Sequence, residues 1–217
     1  RRLSSMGACV LHSDSVLPLK EKEIPVRTLQ KGDVLEFGEV RMEVIWPLVG
    51  AGDTLVSGGV EVNDMSIVMR FDYGDHSSLF TGDLYKTYKG LQDEKGELIP
   101  GQIGAEAWLV KLYQSTGELD VDLLKLPHHG DPSTSNSSNF FSATSPKMAV
   151  ATSFGPVGNY LSQYKKRGYQ NAIFFDRLNG YVHIYATADG KLKASPERTE
   201  YMENFGKTWN QELERNP

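Results

Sequence analysis

Cysteine is nearly absent. Of 217 residues only Cys9 is one, which excludes an internal disulfide and a zinc site built from thiolates. One cysteine leaves the compartment open. Long apolar runs are missing as well, and no stretch approaches the length of a membrane span. The opening residues 1–6 lack the apolar core of a secretory signal, and no initiator methionine stands at the start. Positive charge is not in excess: 23 Lys and Arg against 28 Asp and Glu give a net charge of −5, with a pI near 5.6. No global basic field draws in nucleic acid, although a local basic groove stays open. The glycine-rich stretch 50–59 lacks the lysine and Ser/Thr of a phosphate-binding P-loop and reads as a plain loop. No internal repeat is visible.

What is present is an ordinary globular composition, 39% hydrophobic and 24% charged, on a chain long enough for one domain with a sizeable core. Val34 opens a strand. Val40, Met42, Val44 and Trp46 then share one face of the next, so the pair predicts a hairpin ended by Pro47. Ile67, Met69, Phe71 and Tyr73 alternate with Ser66, Val68, Arg70 and Asp72 in a clean strand pattern. Trp108, Leu109, Leu112 and Tyr113 fall at helical spacing and predict a core-facing stripe. A short helix is expected near Phe140 and Phe141 and another over 161–167, with strands at 147–153 and 172–175. Asn179-Gly180 predicts a tight hairpin turn before the strand Tyr181 to Ala186. Phe205, Trp209 and Leu213 lie four apart, which predicts a helical tail over 198–217 that pads the domain or binds a partner. Strand, helix and strand intermix throughout, so the expected class is a layered α/β (α+β) domain covering 1–217.

Five histidines are available, and two stand side by side at the end of Asp122-Leu123-Leu124-Lys125-Leu126-Pro127-His128-His129-Gly130. This reads as a short buried strand that delivers imidazoles to the rim of a sheet, where rigid scaffolds present chemistry. A loop with two solvated imidazoles fits the same letters. Upstream, Ser78-Leu79-Phe80-Thr81-Gly82-Asp83 repeats the grammar with a carboxylate, or with a turn aspartate that bonds its own backbone. A carboxylate and an imidazole at neighbouring strand ends suit a borderline metal such as zinc. His12, with Asp14 beside it, reads as a polar turn, His76 as a surface turn residue, and His183 as structural.

In order along the chain, Asn63-Asp64-Met65-Ser66, Thr81-Gly82-Asp83 and the Leu123–Gly130 stretch resemble the metallo-β-lactamase superfamily, most closely its competence-type branch, the hydrolase domain of ComEC-like DNA-uptake proteins. The resemblance covers about residues 26–193. It implies an αβ/βα sandwich, mainly the C-terminal half of that fold, with a site for one or two Zn2+ ions, or Mn2+, at the sheet edge. The implied activity is hydrolysis by a metal-activated water, of a small-molecule or nucleic-acid phosphodiester. Asp83 takes the metal-bridging role, His129 the second-metal ligand, and His128 a proton-donating or outer place, with the opposite assignment of the histidines open. Asn63, Asp64 and Asn159 are the implied substrate contacts. Two departures stand out. Asn159-Tyr160 is followed by Leu161-Ser162 where the branch carries a His-Pro, and the family's His-x-His-x-Asp-His is nowhere in these residues. The expectation is therefore the C-terminal portion of a longer hydrolase that needs a missing N-terminal half. The alternative is a degenerate, non-catalytic binding module of the same fold. If one site exists, Asp83 and His129 should approach within about 5 Å with metal bound and about 8 Å without it.

Overall fold

The computed structural model describes residues 22, 29–47, 62–86, 104–153, 157–168, 172–187, 191–199 and 213–214. Seven strands make one mixed sheet, in sequence order across it. Its first half is an antiparallel meander of β1 (Val34–Phe37), β2 (Val40–Trp46), β3 (Val68–Tyr73) and β4 (His76–Phe80). The second half adds β5 (Leu123–Lys125), β6 (Met148–Ala151) and β7 (Ala172–Phe175), each parallel to its neighbour. Parallel neighbours cannot be joined by a tight turn. The crossovers accordingly carry helices: α1 (Ala105–Tyr113) between β4 and β5, α2 (Ser138–Thr144) between β5 and β6, and α3 (Val157–Lys166) between β6 and β7.

The helices pack on one face of the sheet. Val68, Leu79, Leu124, Ala149, Ala151, Ile173 and Phe175 meet Leu109, Tyr113, Phe140, Phe141 and Tyr164 in the main core. The helical stripe of α1 buries Leu109 and Tyr113 as its spacing predicts, and Trp108 and Leu112 lie partly buried against the same cluster. It also buries Glu106 completely, which the apolar pattern does not announce. On the opposite face, Met148 and Phe174 meet Leu192, Val182, Ile184 and Ala194. Those residues come from a second, antiparallel sheet of β8 (Val182–Ala186), β9 (Lys191–Pro196) and β10 (Leu213–Glu214). The architecture is thus a mixed α/β fold with a seven-strand sheet between helices and a small sheet. Among the described residues no helix is long and apolar enough to cross a membrane.

Four expectations are corrected. Asn179-Gly180 does not close a hairpin, because β7 and β8 belong to different sheets. Residues Asp176–Asn179 instead wind into a helical turn, α4. The Asp176 carboxylate accepts the Arg177 amide at 2.7 Å and the Asn179 side-chain oxygen accepts the Phe175 amide at 2.9 Å. Such side-chain acceptors compete with strand pairing. The tail 198–217 is described at 198–199 and 213–214 alone, and there Leu213–Glu214 is a strand paired with β9 rather than helix. His76 is half-buried in β4, its Nδ1 3.6 Å from the buried Asp122 carboxylate. His183, read as structural, is exposed on β8.

Candidate active site at the carboxyl ends of β4 and β5

Ligands of open α/β sheets bind beyond the carboxyl ends of parallel strands. Here β4 ends into Thr81-Gly82-Asp83, β5 into Leu126-Pro127-His128-His129, and β6 into Thr152-Ser153. Because β3 is antiparallel to β4, the 3-10 turn Val62–Met65 that leads toward it reaches the same edge. Three bonds lock these ends together. The Thr81 hydroxyl donates to Lys125 O at 2.8 Å, the His128 amide donates to Gly82 O at 3.1 Å, and the Asp83 amide donates to Ser66 Oγ at 3.0 Å.

Gly82 is required at its position. Its φ is +58°, and a Cβ there would lie 2.7 Å from Ser66 Oγ and closer still to Ser66 Cβ. Asp83 can therefore turn back toward β5 only because its predecessor has no side chain. Beyond β5, His128 and His129 both take positive φ, 46° and 54°, and Gly130 follows at 80°. Two successive non-glycine residues in the left-handed region carry strain of about 1–3 kcal/mol each, and such strain persists only where the surrounding structure over-determines the backbone.

The result is one convergent cluster. His129 Nε2 lies 3.6 Å from Asp83 Oδ2 and Lys125 Nζ lies 3.9 Å from Asp83 Oδ1, with the Asp83 and His129 side chains 37% and 45% exposed. The other nitrogen of His129, Nδ1, is bonded to Thr152 Oγ1 at 3.1 Å, which leaves Nε2 as the one presented to Asp83. His128 turns inward. Its Nδ1 meets Thr134 Oγ1 at 2.6 Å, and its ring stands edge-on to Tyr85 with centroids 4.9 Å apart. Burial holds the His128 imidazole below its ordinary pKa, against the upward pull of Asp83 and Asp131. The distance expected between Asp83 and His129 is met, and His76 and His183 lie away from the cluster at the far end of β4 and on the second sheet. His12 falls outside the described residues.

The expected substrate contacts fare differently. Asn63 is half-buried and donates its amide to the Tyr85 hydroxyl at 2.9 Å, so it reaches the edge one layer behind His128. Asp64 is 3% exposed, and its carboxylate accepts the amides of Tyr85 at 2.9 Å and Ala105 at 3.3 Å. A carboxylate so enclosed is framework, and the substrate role expected of Asp64 is withdrawn. Asn159 lies in the first turn of α3, and its side chain is outside what the structure describes.

Sequence reasoning missed the residues that hold the histidine loop. Asn136 donates to Pro127 O at 3.1 Å, Arg167 donates to the carbonyls of Pro132, Ser135 and Asn136, and the Tyr164 hydroxyl donates to Gly130 O. The buried Glu106 carboxylate accepts the amides of Asn136 and Ser137. Glu106 and Tyr164, polar groups on core-facing helices, were the available signal, since such groups rarely enter a core unpaired.

Asp83 and His129 present one oxygen and one nitrogen donor to a common point, a fit to part of a zinc or manganese coordination sphere. Catalytic zinc takes three protein ligands, and among the described residues no group of three or more His, Cys, Asp or Glu is placed to hold a metal ion. No protein-family model matches the chain, and no curated protein matches it.

Proposed function

We propose that the chain is the metal-binding part of a hydrolase of the metallo-β-lactamase type, in its αβ/βα fold, acting on phosphodiesters. The approach of His129 Nε2 to Asp83 Oδ2, 3.6 Å across two strand ends, carries this reading. Asp83 and His129 would hold Zn2+ or Mn2+. An ion held by these two residues would supply an acidified water and polarisation of the scissile group. The chain's own residues do the rest. Thr152 holds the orientation of the His129 ring through Nδ1, the role outer hydrogen bonds play around metal ligands. His128, whose imidazole burial holds below its ordinary pKa, is bonded through Nδ1 and would use Nε2 to carry a proton. Asn63 sets Tyr85, which packs on His128. The resemblance assigns the remaining ligands to a His-x-His-x-Asp-His segment preceding these residues, and Asn159 to the substrate.

Metal uptake tests the reading. Two ligands hold an ion weakly, so elemental analysis after dialysis should find well under one zinc per chain. A Mn2+ titration followed by electron paramagnetic resonance should show weak binding that Asp83→Ala and His129→Ala each abolish. Uptake indifferent to both substitutions would leave only a binding module. A full two-metal complement on the unaltered chain would overturn this ligand set.

A further inference from the structure

Lys125 belongs to no role assigned so far. It ends β5, on the face opposite Leu124, with Phe80 and Val150 as its register partners on either side. Lysine is seldom drawn into such surroundings without a partner, since its ammonium resists leaving water. The side chain is only 21% exposed, and Nζ is held in place by donating to Gly82 O at 3.2 Å. Burial lowers its pKa against the upward pull of Asp83.

The contact with Asp83 is long, 3.9 Å, and single. Lys125 approaches Oδ1 while His129 approaches Oδ2, so cation and imidazole flank one carboxylate from its two sides. A pair built only to neutralise Asp83 would close to hydrogen-bond distance, as Lys147 does with Asp122 at 3.1 Å. Among the described residues, Lys86 and Arg167 near this edge are engaged elsewhere. Lys86 donates to Pro132 O at 2.8 Å, and Arg167 is bound to loop carbonyls. On a chain of net charge −5, a fixed local cation favours the approach of an anionic substrate to this edge.

We propose that Lys125 is the anion-binding residue of this site: tethered by Gly82 O beside Asp83, its ammonium takes a non-bridging oxygen of a phosphodiester and makes the site select the anionic ester over a neutral one. The inference rests on the hydrolase reading for its substrate, but the ammonium acts without a metal. Lys125 is preorganised by the same Gly82 whose missing side chain positions Asp83, so charge recognition and metal binding share one backbone turn.

The test uses the metal-free full chain and two small probes of one core, the anion diethyl phosphate and the neutral triethyl phosphate, titrated by NMR chemical shift. The unaltered protein should bind the anion preferentially. Lys125→Met should weaken diethyl phosphate by about tenfold or more, the worth of a charge-assisted hydrogen bond, and leave triethyl phosphate unchanged. Lys125→Arg, which keeps the charge, should stay within about threefold and guards against a folding artefact. Mn2+ uptake should be unchanged or tighter in Lys125→Met, because a cation beside Asp83 has been removed. A Met variant that still prefers the anion, or an unaltered protein with no preference, overturns the proposal. Anion preference that depends on Lys125 alongside Mn2+ uptake that ignores Asp83 upholds the anion site and sinks the hydrolase.

Discussion

Glu106 offers the most quantitative test of the scaffold behind the site. It is fully buried in α1, and burial pushes its carboxyl from 4.5 up to about 7, against the downward pull of the Ser137 and Asn136 amides. The folded state therefore keeps a proton that the unfolded chain has released between about pH 4.5 and pH 7. Unfolding in that window releases a proton, so stability falls as pH rises. The contribution is fully present below pH 4.5 and lost as pH passes the folded value. At about 1.36 kcal/mol per pKa unit, the rise from 4.5 to about 7 amounts to about 3 kcal/mol. Glu106→Gln removes the titration while keeping one acceptor for the loop amides. Urea denaturation of both proteins at pH 4.5, 6 and 8 isolates the contribution of this proton. The unaltered protein should gain about 3 kcal/mol more than the glutamine variant on going from pH 8 to pH 4.5. Parallel stability curves for the two proteins would refute the burial argument, whatever their absolute difference.

Other perturbations address the site directly. Gly82→Ala forces a side chain onto a φ of +58° and into Ser66, a cost of about 2–5 kcal/mol, so its melting temperature should drop by about 5–15 °C; a melt within a degree or two of the parent would show that the turn can relax. Thr152→Val removes the partner of His129 Nδ1 and should weaken Mn2+ binding about tenfold without lowering the melting temperature; equal affinity tells against His129 as the ligand. Tyr164→Phe leaves the buried Gly130 carbonyl without its donor and should cost about 1–3 kcal/mol by urea denaturation; an unchanged midpoint would mean that the histidine loop does not depend on α3.

The strands and helices that position the site were legible because their signal is local. Alternation over 68–73 and the i, i+4 pair Leu109 and Tyr113 depend only on which face meets the core. The pairing of Asp83 with His129 was legible for a related reason: each follows a strand, and adjacent parallel strands end on one edge. Asn179-Gly180 misled because two side-chain acceptors, Asp176 and Asn179, wind the preceding residues into a turn of helix. Asp64 misled because a carboxylate near a site and a carboxylate under it carry the same letter. Its burial and the amides of Tyr85 and Ala105 that it caps tell them apart.

The conformation of the histidines themselves was not legible, and the reason is physical. Positive φ is uncommon for any residue other than glycine, and two such residues in succession are not announced by the loop's own sequence. What enforces it lies elsewhere in the chain. Tyr164 reaches in from α3 and Arg167 from the turn that follows it, Asn136 ties Pro127 to the start of α2, and Glu106 on α1 anchors the amides of Asn136 and Ser137. A Cβ on Gly130 would lie 2.7 Å from Ala151 Cβ, so β6 itself presses against the end of the loop. The strain at the two imidazoles is thus balanced by bonds from all three crossover helices. Loosening any one of these bonds should release His129 from Asp83 before it unfolds the sheet, because each bond ties the loop while the helices stay packed on the strands through the main core. Loss of Mn2+ uptake should therefore precede loss of the far-ultraviolet dichroism signal in a urea titration of Tyr164→Phe, and coincidence of the two transitions would show that loop and sheet unfold as one.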